Sequence, residues 1–187
     1  VITLLLAACG TKTPSDTELE LAEGDYASKV FDVSDDAGKL TARFLYLTKD
    51  TFVTNDVITT GDSAVYTSPD GKIMLVDCGN PASGEDVVAQ LRRMEVEKID
   101  ILVVSHPHAD HIGGFEAVVS AFPVEQIYMA DHVYDSGTYR NMIKVIEEKS
   151  IPVTYVEAGS SFQFGDEVTV RCYGPRPEDL RDIAAGH

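Results

Sequence analysis

Apolar and polar positions alternate in period along this chain, first in the manner of strands and then of strands and helices by turns. Leu40-Thr-Ala-Arg-Phe-Leu-Tyr-Leu47 is rich in aromatic and aliphatic residues and predicts a strand. Residues 48–62 are polar, with Thr, Asn, Asp and Gly, and predict a loop. Ser63–Thr67, the turn Ser68-Pro-Asp-Gly71 and Lys72–Asp77 predict a β-hairpin, with Pro and Gly where such a turn wants them. From Glu85 to Val96, Val87, Val88, Leu91 and Met94 recur at helical spacing, with Ser83 as the cap.

Ile101–Ser105 is a continuous apolar run, as expected of a strand buried on both faces. Beyond it the pattern predicts a helix over 115–122, a strand over 126–130, a helix over 138–148 and a strand over 152–156. A last hairpin is expected from 162–164 and 168–173. Antiparallel hairpins followed by alternating strands and helices imply an α/β fold of the α+β sandwich type. Its sheet is mixed, and its helices pack on one side.

Residues 10–38 break this pattern. Eight carboxylates lie between Asp16 and Asp36 against the single cation Lys29, and no apolar period is sustained. A self-repelling segment of this kind reads as a solvated tether. The whole chain has 31 acidic and 15 basic residues among 187, a formal charge of −16. That balance disfavours binding to extended nucleic acid, which runs on Lys and Arg. Cys78 and Cys172 both lie in apolar strand-like contexts, and either a disulfide or two buried thiols fits them.

The chemistry is concentrated in Ser105-His106-Pro-His108-Ala-Asp110-His111-Ile-Gly113-Gly114. Three imidazoles and one carboxylate within six residues are a donor set for zinc, manganese or iron. In an extended loop His106 and His108 point the same way and can grip one ion. Asp110 and His111 follow where the chain turns and can face a second. Gly113 and Gly114 permit close backbone passage beside such a site. The run follows a buried strand, at the sheet edge where α/β proteins place ligands.

His106-Pro-His108-Ala-Asp110-His111-Ile-Gly113-Gly114 resembles the signature of the metallo-β-lactamase superfamily. Gly61-Asp62-Ser63-Ala64 and Met74-Leu-Val-Asp77-Cys-Gly79 are similar to its upstream segments. The Gly-Asp-Ser-Ala start, the Ser-Pro-Asp-Gly turn and the His-Pro-His form most resemble the hydrolase domain of ComEC-type DNA-uptake proteins and its free-standing relatives. The resemblance covers about residues 40–175.

It implies that His106 and His108 bind a first metal, and that Asp110 and His111 serve a second and carry the catalysis. Asp77 would orient a ligand from outside, or merely cap the turn after its strand. Asp62 would belong to the site, or to a surface turn. Two Zn2+ ions are implied for the full-length protein, with Mn2+ or iron as alternatives.

The resemblance also implies ligands from a second half of the fold, so the chain reads as the N-terminal half of an αββα sandwich with the C-terminal half missing. His187 is a candidate third ligand by its spacing from His111, and His132 is expected to be a surface histidine. Tyr128, Tyr134 and Tyr139 are expected to serve packing.

Leu6-Ala7-Ala8-Cys9 resembles the end of a bacterial lipoprotein signal, which implies cleavage before Cys9 and lipid on its sulfur. Residues 1–8 then read as a signal remnant, 9–38 as a tether and 39–187 as a partial hydrolase domain. The domain would lie outside the cytoplasm, anchored to a membrane. The function expected is metal-dependent hydrolysis of a phosphodiester or another ester, with a small-molecule or phosphodiester partner. An iron-dependent oxidoreductase and a non-catalytic surface-binding lipoprotein are the alternatives.

Overall fold

The apolar runs pair edge to edge into one six-stranded mixed sheet. Its strands are β1 (Thr41–Phe44), β4 (Ala64–Thr67), β5 (Ile73–Val76), β6 (Ile99–Val104), β7 (Val124–Met129) and β8 (Val153–Tyr155), lying side by side in that order. β4 runs antiparallel to both its neighbours, β1 and β5, and β5 through β8 run parallel. Two hairpins stand apart from it, β2 (Phe52–Thr54) with β3 (Val57–Thr59), and β9 (Ser161–Phe164) with β10 (Val168–Arg171). This computed structural model describes residues 30–47, 52–54, 57–59, 61–176 and 178. It divides into Val1–Asp32 and Val33–His187, and the sheet, the four crossover helices and the site belong to the second unit.

Helix α1 (Gly84–Arg93) joins β5 to β6. Helices α2 (Ala109–Ile112) and α3 (Phe115–Ala121) join β6 to β7, and α4 (Gly137–Lys149) joins β7 to β8. All three crossovers advance the same way along parallel strands. Their common right hand therefore puts every helix on one face of the sheet. Register shows what that face contributes: Leu75 pairs with Leu102 and Leu102 with Ile127, and all three are fully buried. Burial on that scale stabilises by roughly 1.5–3 kcal/mol per side chain.

The opposite face is covered by the β9–β10 hairpin. Phe162 and Phe164 pack there on Met74 and Ile101, and Tyr128 stacks on Phe162 with centroids 3.8 Å apart. An open apolar cavity of about 490 Å³ remains on this face, bordered by Tyr66, Val76, Val103 and Ser105.

The mixed sheet with helices on one side is as the sequence predicts, and element ends differ by a few residues. Four expectations change. The loop expected over 48–62 contains the β2–β3 hairpin, because β-branched residues flank Asn55-Asp56 on both sides. The strand expected over 40–47 is confined to Thr41–Phe44. Ser83 makes no side-chain cap on α1. Instead Asn80 organises the turn, its Oδ1 accepting from the Ser83 amide at 2.9 Å and the Ser83 hydroxyl at 3.0 Å. Asp36, counted with the acidic tether, is buried and accepts a two-pronged ion pair from Arg43 at 2.7 and 2.8 Å.

Cys78 and Cys172 are both free thiols. Cys78 is buried, and burial, helped by the neighbouring Asp77 charge, holds its thiol far above the ordinary cysteine range. Cys9 and His187 lie outside the described residues.

Candidate metal centre

Three chain segments meet at the edge of the sheet where the parallel strands end. β5 leaves at Asp77, β6 leaves at Ser105, and β4 enters just after Asp62. Backbone hydrogen bonds braid them: Asp62 N–H donates to the Asp110 carbonyl at 3.1 Å, and Cys78 N–H to the His111 carbonyl at 2.7 Å. Gly79 N–H donates in turn to the Asp62 carbonyl at 2.9 Å. Gly61 lies at φ +76°, and a Cβ there would fall 2.3 Å from the Asp110 carbonyl oxygen. A Cβ on Gly114 would fall 2.2 Å from the Cys78 carbonyl oxygen. Only glycine allows both approaches.

The histidine run does not stay extended. After His108 it closes into the single turn α2, which Ile112, 2% exposed, fastens to the core. That turn swings His111 back over His106. Their ring centroids are 3.8 Å apart, closer than the 4.7 Å between His106 and His108. All three imidazoles form one cluster, open to solvent at His108 and Ser105. Burial, then the neighbouring His111 and His108, push the His106 imidazole below its ordinary range. A neutral ring is the form that can coordinate a metal.

Asp77 is the buried hub beneath this cluster. Its Oδ1 accepts from the Ser105 amide at 2.8 Å. Its Oδ2 lies 2.5 Å from the Ser105 hydroxyl and 2.8 Å from His111 Nδ1. Of the two readings of Asp77, the structure gives the contact with His111 rather than a mere turn cap. The residue sits at φ +61°, uncommon for a non-glycine, with a cost on the order of 1 kcal/mol.

On the far side of His111, Nε2 lies 3.7 Å from Asp62 Oδ2 and 3.8 Å from Asp110 Oδ2. These separations are too long for hydrogen bonds. They are slightly wider than two donors on one tetrahedral ion, which stand roughly 3.3–3.5 Å apart. Among the described residues no three such side chains already close around a common point. Asp62 has 82% of its side chain exposed and can rotate by the few tenths of an ångström required. The donor set fits a metal of the zinc type in kind, though not yet in closure.

Asp62 thus stands at the site and not in an unrelated surface turn. The signal in the sequence was Gly61, whose freedom is spent on the approach to Asp110. Two residues were missed. Ser105 lies 3.1 Å from His106 Nδ1 through its hydroxyl. Tyr134, expected to serve packing, has its ring centroid 5.2 Å from that of His108. His132, expected on the surface, is half-buried with its Nε2 shielded from solvent, and its ring lies 6.2 Å from that of Tyr134. Tyr128 and Tyr139 are packing residues, as expected.

A nitric oxide reductase of Moorella thermoacetica is 32% identical over 72 residues, 38% of this chain and 18% of that protein. A metallo-beta-lactamase from Hirschia baltica is 22% identical with a TM-score of 0.38, over 66% of this chain and 57% of that one. The chemotaxis sensor ODP, solved as a peroxy diiron species, is 18% identical with a TM-score of 0.45, over 68% of this chain and 51% of that one. The chain thus spans less than a fifth of the curated relative and about half of these solved chains. Residues 59–181, well over half of the sequence and including every residue of the cluster just described, match the profile of one family: the chain belongs to the metallo-beta-lactamase superfamily.

Proposed function

We propose that this chain carries the metal-binding edge of a metal-dependent hydrolase. The observation that supports it most is the convergence of His106, His108 and His111 with Asp62 and Asp110 at the ends of the parallel strands. His106, His108, Asp110 and His111 are the proposed ligands, with Asp62 as an added carboxylate. A zinc-type ion held there supplies Lewis acidity and a nucleophile at neutral pH. The chain's own residues fix the geometry: Asp77 holds His111, the glycines let the three segments close, and the open side at His108 admits substrate. His187 remains a candidate further ligand.

A phosphodiester is the favoured substrate, by the likeness of the His-Pro-His motif to the ComEC-type branch. With a charge of −16, a small phosphodiester suits this protein better than a long polymer. The test is metal content and hydrolysis of bis(p-nitrophenyl) phosphate by the full-length protein, wild type against His108→Ala and Asp110→Ala. Each variant is expected to lose most bound metal and at least about 100-fold in rate, the scale on which such groups act. Unchanged metal and rate in both would remove the assignment. The identity to nitric oxide reductase supports a second reading, an iron-dependent oxidoreductase on the same edge. Stoichiometric iron without zinc or manganese, and no hydrolysis, would select it.

The lipoprotein-like Leu6-Ala7-Ala8-Cys9 supports a lipid anchor outside the cytoplasm. Replacing Cys9 by Ser is expected to shift the protein from the membrane fraction to the soluble one. A protein that stays soluble with Cys9 intact would end this proposal.

A further inference from the structure

We infer that Ser105 is a positioning residue of this centre, relaying the Asp77 carboxylate to His106. His106 and His111 are thereby both held as Nδ1–H tautomers with Nε2 bare. The argument counts protons. An ionised carboxylate only accepts hydrogen bonds. At 2.5 Å from Asp77 Oδ2, the Ser105 hydroxyl must therefore spend its one proton on that oxygen. What it then offers to His106 Nδ1, 3.1 Å away, is a lone pair, so Nδ1 must carry the ring proton. His111 Nδ1 faces the same Oδ2 directly at 2.8 Å and must also be the protonated nitrogen. A neutral imidazole has one proton, and each Nε2 is left with its lone pair exposed. In water the other tautomer is the commoner one, and it would turn an N–H towards a metal.

The strands place this relay. Val76 pairs with Val103 in parallel register, and Asp77 N–H donates to the Val103 carbonyl at 3.0 Å. The residue leaving β5 is thereby set beside the residue leaving β6. Ser105 N–H on Asp77 Oδ1 at 2.8 Å then fixes which carboxylate oxygen faces the rings. One buried carboxylate thus sets two of the three imidazoles, one directly and one through a hydroxyl, while His108 meets the ring of Tyr134.

The value of bare Nε2 atoms rests on the proposed metal function, but the tautomers do not. They are read by long-range 1H–15N correlation on the metal-free full chain at about pH 8, above the ordinary histidine range. His106 and His111 are expected as Nδ1–H in the wild type. In Ser105→Ala, His106 is expected to turn mainly to Nε2–H while His111 is unchanged, and Ser105→Thr is expected to keep the wild-type pattern.

Zn2+ affinity, measured against a chromophoric chelator, is expected to fall about 10–100-fold in Ser105→Ala and to return in Ser105→Thr. His106 as Nε2–H in the wild type overturns the inference without any variant. So does an Ser105→Ala protein with unchanged tautomer and affinity. Nδ1–H tautomers in a wild type that binds no Zn2+ would support the Ser105 relay and defeat the metal function.

Discussion

Asp77 leaves its strand at φ +61° and engages two residues through both carboxylate oxygens, so its two ends are not interchangeable. Asp77→Asn tests this at nearly constant volume. Its amide oxygen can still take the Ser105 amide, but an NH2 group then faces His111 Nδ1 and demands an acceptor. His111 is expected to switch to the Nε2–H tautomer, and metal affinity to fall about 10–100-fold. Retained affinity with the wild-type His111 tautomer would contradict the role given to Asp77. At this scale the motif residues were plain in the sequence, because four donors in six residues have few other uses. Ser105 was not, and Asp62 stayed open between the site and a surface turn, because a serine or a strand-flanking aspartate is ordinary until its neighbours from other strands are known.

Elements carry the site by their ends, Asp77 just after β5 and Ser105 just after β6, and Asp100 ties the same two strands together at their opposite ends. Asp100 on β6 is buried; its Oδ2 accepts from Ile73 N–H on β5 at 2.9 Å. Its Oδ1 lies 3.0 Å from Lys98 Nζ and 3.2 Å from Lys72 Nζ. Burial raises the Asp100 pKa, but the Ile73 N–H and the two ammonium groups outweigh it and hold the carboxyl below its ordinary value.

A carboxylate depressed in the folded state stabilises above its unfolded value of about 4, and that stability is lost as pH falls through the lower folded value. Asp100→Asn is therefore expected to cost about 1 kcal/mol at pH 7, a modest figure because both lysines are half exposed. The gap from wild type should close as pH falls below 4 in chemical denaturation. A gap that stays constant down to the acid limit would remove the electrostatic account. Helices α1, α3 and α4 were legible from their apolar period. The turn α2 and the β2–β3 hairpin were not, since four residues carry no period and a three-residue strand little more.

For the whole unit Val33–His187, a ligand that binds only the folded centre must shift the folding equilibrium. At 100 times its dissociation constant, Zn2+ is expected to add about 2.7 kcal/mol and so several degrees to Tm. Excess chelator should reverse the shift, and Asp110→Ala should reduce it. A Tm indifferent to Zn2+, Mn2+ and iron would exclude a metal centre in this chain.

The sequence by itself determined the mixed sheet, the side on which the helices lie and the donor types at its edge. These follow from local periods, from the hand of parallel crossovers and from coordination chemistry, all of which act within one segment or between consecutive ones. Only the tertiary structure decided which donors face one another. His111 over His106, Asp62 beside His111 and Ser105 on Asp77 depend on parallel register and on glycine-permitted backbone approaches between segments far apart in the chain. No local pattern encodes those distances, because they are set by the packing of the strands on either side.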